Sequence, residues 1–364
     1  MNILFVTLAE NFVNKGFLVD LVLAHKSGPL LDELGDGINI VDLKSLHPGR
    51  PEWVSAFRTL ICLISYLKKS PPDSLLSTLT GANLIAILAR MISSRKVRLV
   101  VREAASLTNV KSRLRLKMMR LLYRYADEVI VLTDFMKKEL VHSVGLSSGA
   151  ISVIGNPIDC ERINKLSDLR DEEQLIDELS PYVIVVGRLE EQKGCFDAID
   201  AFVKFAEEQD HNLILIGDGS QREAIENHIK YKNMDNRIFL LGKLNNPFPW
   251  IKKSKLHVIS SRWEGYPNIL LESMCLGKSI VVTEYDNSLR DILSEYPSSS
   301  VRIVPLGDIL GIAESMLELI KQKSSIESLW MQANVEEIAD KYLCVLGATC
   351  IKSDPKSSHD IVSP

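Results

Sequence analysis

The chain has 364 residues, of which 46% are hydrophobic and 25% charged, the balance of a globular protein with enough apolar material for two cores of ordinary size. A formal net charge of −4 excludes a global pull toward nucleic acid, so any basic partner surface has to be local. No apolar run approaches the ~18 residues a membrane span needs, and the opening MNILFVT is too short for a secretion signal; the expected location is the cytoplasm.

Short apolar runs alternate with helical patterns along the chain. Strands are expected at residues 2–6, 18–23, 38–41, 74–77, 97–101 and 128–132, and then at 182–186, 212–216, 238–241, 256–260 and 279–283. Between them, residues 54–68, 82–91, 111–125 and 197–208 read as helices. Continuous Val/Ile/Leu strands separated by helices indicate parallel sheets covered on both faces. The crossover from the first strand to residue 18 is only about ten residues, near the minimum for a parallel connection.

The polar, charge-dense stretch at 159–179 interrupts this rhythm. It divides the chain into a first domain at 1–160, a linker at 161–180 and a second domain at 181–327. A last helix at about 328–346 is placed to return to the first domain, and the polar tail 351–364 is expected to be disordered. Six cysteines, Cys62, Cys160, Cys195, Cys275, Cys344 and Cys350, fall without C-x-x-C or metal-ligand spacing and read as buried reduced thiols.

The richest chemistry lies in SSRWEGYPNILLESMCLGK, residues 260–278. A strand runs through a loop into a helix expected from Ile269, with Asn268 as its N-cap and Gly277 as its stop. The amides of Ile269, Leu270 and Leu271, with the positive end of the helix dipole, would form an anion site. Glu272 lies one turn in, and Glu264 stands before the turn, at the strand end where open α/β sheets bind ligands. A capped helix with two solvated glutamates is the plainer reading of the same residues.

In VVGRLEEQKGCFDAI, residues 185–199, Arg188 and Lys193 precede another helix start. A forked guanidinium and a point ammonium together suit a pyrophosphate. In LILIGDGSQREAI, residues 213–225, Gly217-Asp218-Gly219 reads as a tight strand-to-helix turn at the same edge. Residues 90–124 hold eleven Lys or Arg against one acid, Glu103. Arg113, Lys117, Arg120 and Arg124 share one helical face, and Leu114, Met118, Leu121, Leu122 and Tyr125 are expected on the opposite one. Either the basic face is simply solvated, or it meets an anionic bilayer; nucleic acid is disfavoured because no aromatic platform interleaves the charges.

Three motifs in this order, GRL-x-x-x-KG at 187–194, GDG at 217–219 and E-x7-E from Glu264 to Glu272, resemble the donor domain of family 4 retaining glycosyltransferases with the GT-B arrangement. GNPID at 155–159, LGKLNNPFPWIKKS at 241–254 and VPLGD at 304–308 add to the resemblance. It implies two Rossmann-like α/β domains facing a cleft. It also implies a nucleotide diphosphate sugar as co-substrate, with no metal or other cofactor; neither the sugar nor the nucleobase is readable from the residues, and a UDP-sugar is favoured only as the commonest donor.

Under that resemblance Arg188 and Lys193 hold the diphosphate and stabilise the leaving nucleotide, Glu264 contacts the sugar, and these three carry the catalysis. Glu272 hydrogen-bonds the ribose, Gly217 and the segment Gly265, Tyr266, Pro267, Asn268, Ile269 and Leu270 line the donor, and Leu244 lies against the nucleobase. The acceptor would be a saccharide or a lipid-linked sugar in surface polysaccharide or glycolipid assembly. The segment after residue 6 lacks the family's glycine-rich loop, and Arg102-Glu103-Ala104 stands where the family commonly has a histidine. The alternative is a catalytically impaired nucleotide-sugar-binding relative that serves as a partner or regulator.

Overall fold

A computed structural model of the protein describes residues 3–27, 31, 34–46, 51–107, 112–169, 172–295, 300–322 and 335–348. The chain opens with α1 (Ile3–Asn14), not with the expected strand at 2–6. Val6, Leu8, Ala9 and Phe12 are all buried, a helical spacing that continues past the short apolar run at 3–6 which alone reads as a strand. No strand precedes it among the described residues, so the expected short crossover is replaced by this helix and a left-handed turn at Gly16.

The parallel strands β1 (Val19–Leu23) and β2 (Ile38–Asp42) form a separate two-stranded sheet. Then follow α2 (Glu52–Lys69), β3 (Ser74–Thr78), α3 (Thr80–Ser93), β4 (Arg98–Arg102), α4 (Arg113–Leu122), β5 (Glu128–Val131), α5 (Asp134–Glu139) and β6 (Ile151–Val153). Strands β3 to β6 make a four-stranded parallel sheet in sequential order. Helices α2, α3 and α4 cover one face through Leu63, Leu67, Ile87 and Met119.

The segment expected to be a polar linker carries two short helices, α6 (Cys160–Ser167) and α7 (Glu173–Glu178). Beyond it come β7 (Tyr182–Val186), α8 (Cys195–Phe205), β8 (Asn212–Ile216), α9 (Arg222–Tyr231), β9 (Ile238–Gly242), α10 (Phe248–Lys253), β10 (Leu256–Ile259), α11 (Asn268–Cys275), β11 (Ile280–Glu284), α12 (Ser288–Glu295), β12 (Val301–Pro305) and α13 (Ile309–Lys321). The six strands lie parallel in the order β12-β11-β10-β7-β8-β9. One face is filled by Phe202, Phe205, Ile225 and Met316, and the other by Trp250, Leu270, Met274 and their neighbours. At about 1.5–3 kcal/mol for each large apolar side chain, these two layers are the main source of the second domain's stability.

The last helix, α14 (Val335–Leu346), lies on the other face of the four-stranded sheet. Ile338, Ala339, Tyr342 and Leu343 meet Val100, Ile130 and, from α1, Leu8 and Phe12. The expected helix residues 328–334, the tail 351–364, Lys111 and Cys350 lie outside the described residues.

Two expectations need correction. Cys160 and Cys275 are joined in a disulfide that ties the start of α6 to the end of α11, so they are not reduced thiols. Their partnership spans 115 residues and leaves no spacing signal. Of the other described cysteines, Cys195 is buried, Cys62 is half-buried and Cys344 is exposed. On α4 the inward face is Met119 and Leu122, while Leu114 and Leu121 are 70% and 52% exposed beside the cations. The apolar side expected from the helical wheel is therefore wider than the part that meets the core. Among the described residues no helix is long and apolar enough to cross a membrane, and no three His, Cys, Asp or Glu side chains are grouped to hold a metal.

Candidate functional site

In the six-stranded sheet the chain builds outward from β7 to β8 and β9, then returns to place β10 on the other side of β7. The loops after β7 and β10 therefore leave in opposite directions and open a crevice at their carboxyl ends, where ligands of open α/β sheets bind. All three sequence motifs meet there.

Close backbone crossings shape the crevice. A Cβ on Gly217 would stand 1.8 Å from the carbonyl oxygen of Gly187, and one on Gly194 would stand 2.1 Å from that of Ser260. Gly194, at φ +58, caps α8 and delivers Lys193 back over Gly187. The Lys193 ammonium lies 2.5 Å from Glu264 Oε1, which also accepts from Ser261 Oγ at 2.6 Å. Arg188 Nη2 donates to Gln192 Oε1 at 2.8 Å, and Gln192 Nε2 donates to the carbonyl of Trp263 at 2.8 Å. Arg188, Lys193 and the turn at 264–268 are thus one hydrogen-bonded unit. Neither Gln192 nor Ser261 was singled out in the sequence, although Gln192 occupies a variable position of GRL-x-x-x-KG.

The start of α11 departs from expectation. Pro267 is the capping residue and makes no side-chain cap; Asn268 is the first helical residue. The Asn268 side chain is not free to cap because its Oδ1 accepts from Asn156 Nδ2 at 2.8 Å. The amides of Leu270 and Leu271 donate to the Pro267 carbonyl, and that of Asn268 to Tyr266. Of the three amides expected to point outward, two are therefore used locally. Gly277 ends the helix as expected, at φ +62, with the Lys278 amide returning to the Ser273 carbonyl.

Glu272 sits one turn inside α11, and burial pushes its carboxyl up to about 7 against the pull of Lys193. Leu244 is half-buried in the cluster that also holds Ile216, the residue before Gly217, and Ile269 of α11. The nucleobase candidate thus packs in the cluster that underlies the Gly217 turn and the start of α11.

The first domain closes over this edge. A Cβ on Gly265 would stand 2.1 Å from the carbonyl oxygen of Ala104, just beyond β4, and Tyr266 lies against Gly155, just beyond β6. The Phe135 amide donates to Asp291 of α12 at 2.9 Å. Glu103, at the place where the resemblance leads one to expect a histidine, is buried and accepts from Thr80 and Tyr123. Arg113, Lys117, Arg120 and Arg124 lie on exposed α4 and the turn after it, and Arg120 Nε donates to the Ser143 carbonyl at 2.7 Å. They are not among the residues brought together at the crevice.

Residues 1–162 match the family model described as Glycosyltransferase Family 4, and residues 167–335 match the model described as Glycosyl transferases group 1. An uncharacterized glycosyltransferase of Methanocaldococcus jannaschii is 33% identical over 174 residues, 47% of this chain and 43% of that protein. The N-acetylgalactosamine-N,N'-diacetylbacillosaminyl-diphospho-undecaprenol 4-alpha-N-acetylgalactosaminyltransferase of Campylobacter jejuni is 27% identical over 225 residues, 60% of this chain and 59% of that protein. The chain thus spans about half the length of these curated relatives. Among solved structures, the Anabaena protein HepE in complex with UDP and glucose superposes with a TM-score of 0.74 at 17% identity, covering 94% of this chain and 96% of that one. Two parallel α/β domains closing on a switch-point crevice, with matched models over both halves, place the chain in the family 4 glycosyltransferases of GT-B fold.

Proposed function

We propose that the protein transfers a hexose or N-acetylhexosamine from a nucleotide diphosphate sugar, a UDP-sugar by preference, to a saccharide or lipid-linked acceptor, with retention of the anomeric configuration. The observation that carries this is the joining of Arg188, Lys193 and Glu264 into one unit at the switch point. Breaking the bond between the anomeric carbon and the phosphate oxygen leaves the electron pair on the diphosphate. Fixed cations stabilise that charge without a metal. Arg188 and Lys193 hold the phosphates, and Glu264 faces the sugar and meanwhile orients Lys193. Glu272 has a carboxyl pushed up to about 7, so near neutrality it can both donate to and accept from ribose hydroxyls. Being only partly ionised there, it also carries less negative charge beside the diphosphate than an ordinary carboxylate.

The acceptor hydroxyl attacks the face from which the nucleotide leaves, through an oxocarbenium-like transition state. The experiment is a screen of UDP- and GDP-sugars against short saccharide and polyprenyl diphosphate sugar acceptors, with product configuration read by NMR. An inverted product would reject the retaining assignment. Absence of turnover with every donor, alongside tight nucleotide binding, would favour a binding partner or regulator instead. That second reading draws on two features of the first domain: α1 occupies the place expected for a strand and loop, and the Glu103 carboxyl is held by Thr80 and Tyr123.

The lipid-linked option carries a location with it: the cytoplasm, at the inner face of the cell membrane. Arg113, Lys117 and Arg124 are exposed with Leu114 and Leu121 between them, and α2 presents Trp53 and Phe57 at 73% and 60% exposure. Helices α2, α3 and α4 cover the same sheet face, so one outer surface offers both cations for anionic headgroups and apolar side chains for the interface. The relative from Campylobacter jejuni is named for an undecaprenol-linked acceptor, which supports the same reading.

A further inference from the structure

At the carboxyl end of β4 the first domain buries a guanidinium. Arg102 is 1% exposed; its Nε donates to the Tyr342 hydroxyl at 2.9 Å, its Nη1 to Thr78 Oγ1 at 3.1 Å and its Nη2 to Asn156 Oδ1. These three hydrogen-bond partners are neutral, although the buried Glu103 carboxyl next in the chain and the Phe5 ring, 5.8 Å from the guanidinium carbon, also act on the cation. Burying a cation on neutral acceptors is costly, and the hydrophobic layer around it, with Leu8, Ile338 and Tyr342, does not require one.

What an arginine supplies here is polarity. It can only donate hydrogen bonds, so the end of the Asn156 amide that meets it must be the carbonyl. The Asn156 nitrogen is then turned away from Arg102, and it donates to Asn268 Oδ1 at 2.8 Å. The direction propagates once more: with its oxygen engaged, the amide end of Asn268 left for a ligand is Nδ2, a donor, in the first turn of α11.

We propose that Arg102 is a positioning residue that sets the direction of a relay, Arg102 to Asn156 to Asn268, so that Asn268 Nδ2 donates to a diphosphate oxygen of the bound nucleotide sugar. This rests on the reading that the diphosphate lies at the start of α11. Released from the relay, the Asn268 amide can rotate and present its carbonyl, which repels a phosphate oxygen. The relay also runs from the first domain into the second, so the donor amide is aligned only when β4, the segment after β6 and α11 are together.

The test is Asn156→Asp. The new carboxylate pairs with Arg102 and preserves the buried contact, so the thermal midpoint is retained. It offers acceptors only, so Asn268 must turn its nitrogen inward and its oxygen toward the ligand. Calorimetry with UDP, GDP and ADP first identifies the nucleoside diphosphate the wild type binds best. N156D is expected to weaken its binding about tenfold, a change of ~1.4 kcal/mol, and Asn268→Ala in the N156D background to add little. A charge effect without the relay predicts instead that Asn268→Ala costs as much in the N156D background as in the wild type, and that result would overturn the relay.

Arg102→Lys, which keeps a donor-only cation, is expected to hold near-wild-type affinity, and Arg102→Met to lose about tenfold. These two variants decide the matter should N156D fail to fold, and R102M binding as the wild type would overturn the relay. Lys193→Ala separates the two levels of the argument. If K193A weakens binding while N156D and R102M match the wild type, the relay is wrong and the donor site stands. If the wild type binds none of the three nucleotides, or K193A changes nothing, the donor reading fails and the relay falls with it.

Discussion

The ammonium of Lys193 and the carboxylate of Glu264, residues 71 positions apart, meet at 2.5 Å where the loops after β7 and β10 converge. An incoming diphosphate must compete with Glu264 for that ammonium. Replacing Glu264 by Gln removes the competing charge and nearly preserves the shape. E264Q should therefore bind a nucleoside diphosphate as tightly as the wild type or a few-fold more tightly, while glycosyl transfer falls by about 10²-fold or more. Calorimetry and a transfer assay on one preparation read both quantities. Binding weakened in parallel with turnover would mean that Glu264 supports the cradle rather than competing within it.

Lys193→Ala acts in the opposite sense. It removes a cation from the proposed diphosphate site and leaves Glu264, itself only 8% exposed, without its ion-pair partner. Nucleoside diphosphate affinity should fall at least tenfold, on the order of 1.4 kcal/mol. A lower thermal midpoint should accompany it, because an uncompensated buried charge is costly.

Glu272 gives a pH signature. Burial raises its carboxyl from an ordinary 4.5 to about 7, so protons are held more tightly in the folded state than in the unfolded one. Its contribution is fully present below pH 4.5 and is lost as pH rises through 7. The loss is at most about 3 kcal/mol. Glu272→Gln should flatten the decline in stability over that window in denaturant melts taken at several pH values. An unchanged slope would show that Glu272 is as well solvated in the folded protein as in the unfolded one.

Gly217→Ala tests the backbone crossing that forms the crevice. At φ +144 and with a carbonyl oxygen 1.8 Å from the would-be Cβ, the two loops must part. A destabilisation of about 3 kcal/mol or more is expected, together with loss of nucleotide binding. A well-folded G217A that still binds would place the nucleotide away from the switch point.

Neutralising Arg113, Lys117, Arg120 and Arg124 together should weaken binding to anionic vesicles by up to about 1 kcal/mol per charge. Arg120 should contribute least, since its Nε is held by the Ser143 carbonyl. Cosedimentation with phosphatidylglycerol-containing and neutral vesicles, with Trp53→Ala beside it, separates the charge effect from insertion of the apolar stripe. Equal sedimentation of wild type and variant on anionic vesicles would remove α4 from any membrane role.

The second domain was legible because its strands are continuous apolar runs and its loops carry glycines forced by close crossings, as at Gly194 and Gly217. The convergence of Arg188, Lys193 and Glu264 was legible for the same reason: motif spacing tracks the loops of a switch point. The first segment was misread because the four apolar residues at 3–6 fit a strand as well as the start of α1, and only burial at Ala9 and Phe12 decides between them. Asn268 was misassigned as a cap because its partner, Asn156, lies 112 positions away. Arg102 was noticed only as a departure from the family pattern; its burial gave no signal, since an arginine at a strand end is ordinarily solvated. The disulfide between Cys160 and Cys275 was hidden in the same way by sequence distance.

Helix α14 follows the second domain in the chain yet completes the first, setting Tyr342 and Leu343 against Val100 and Ile130. The polypeptide must therefore cross the junction twice, and the first domain is not a contiguous stretch of chain, whereas the second is. A fragment cut at the α6 boundary would bare an apolar sheet face, and a shuffled gene that exchanged donor modules would have to carry the terminal helix of its original host. The second domain can in principle be exchanged as one insert, while the first keeps its fold only if the terminal helix stays with it.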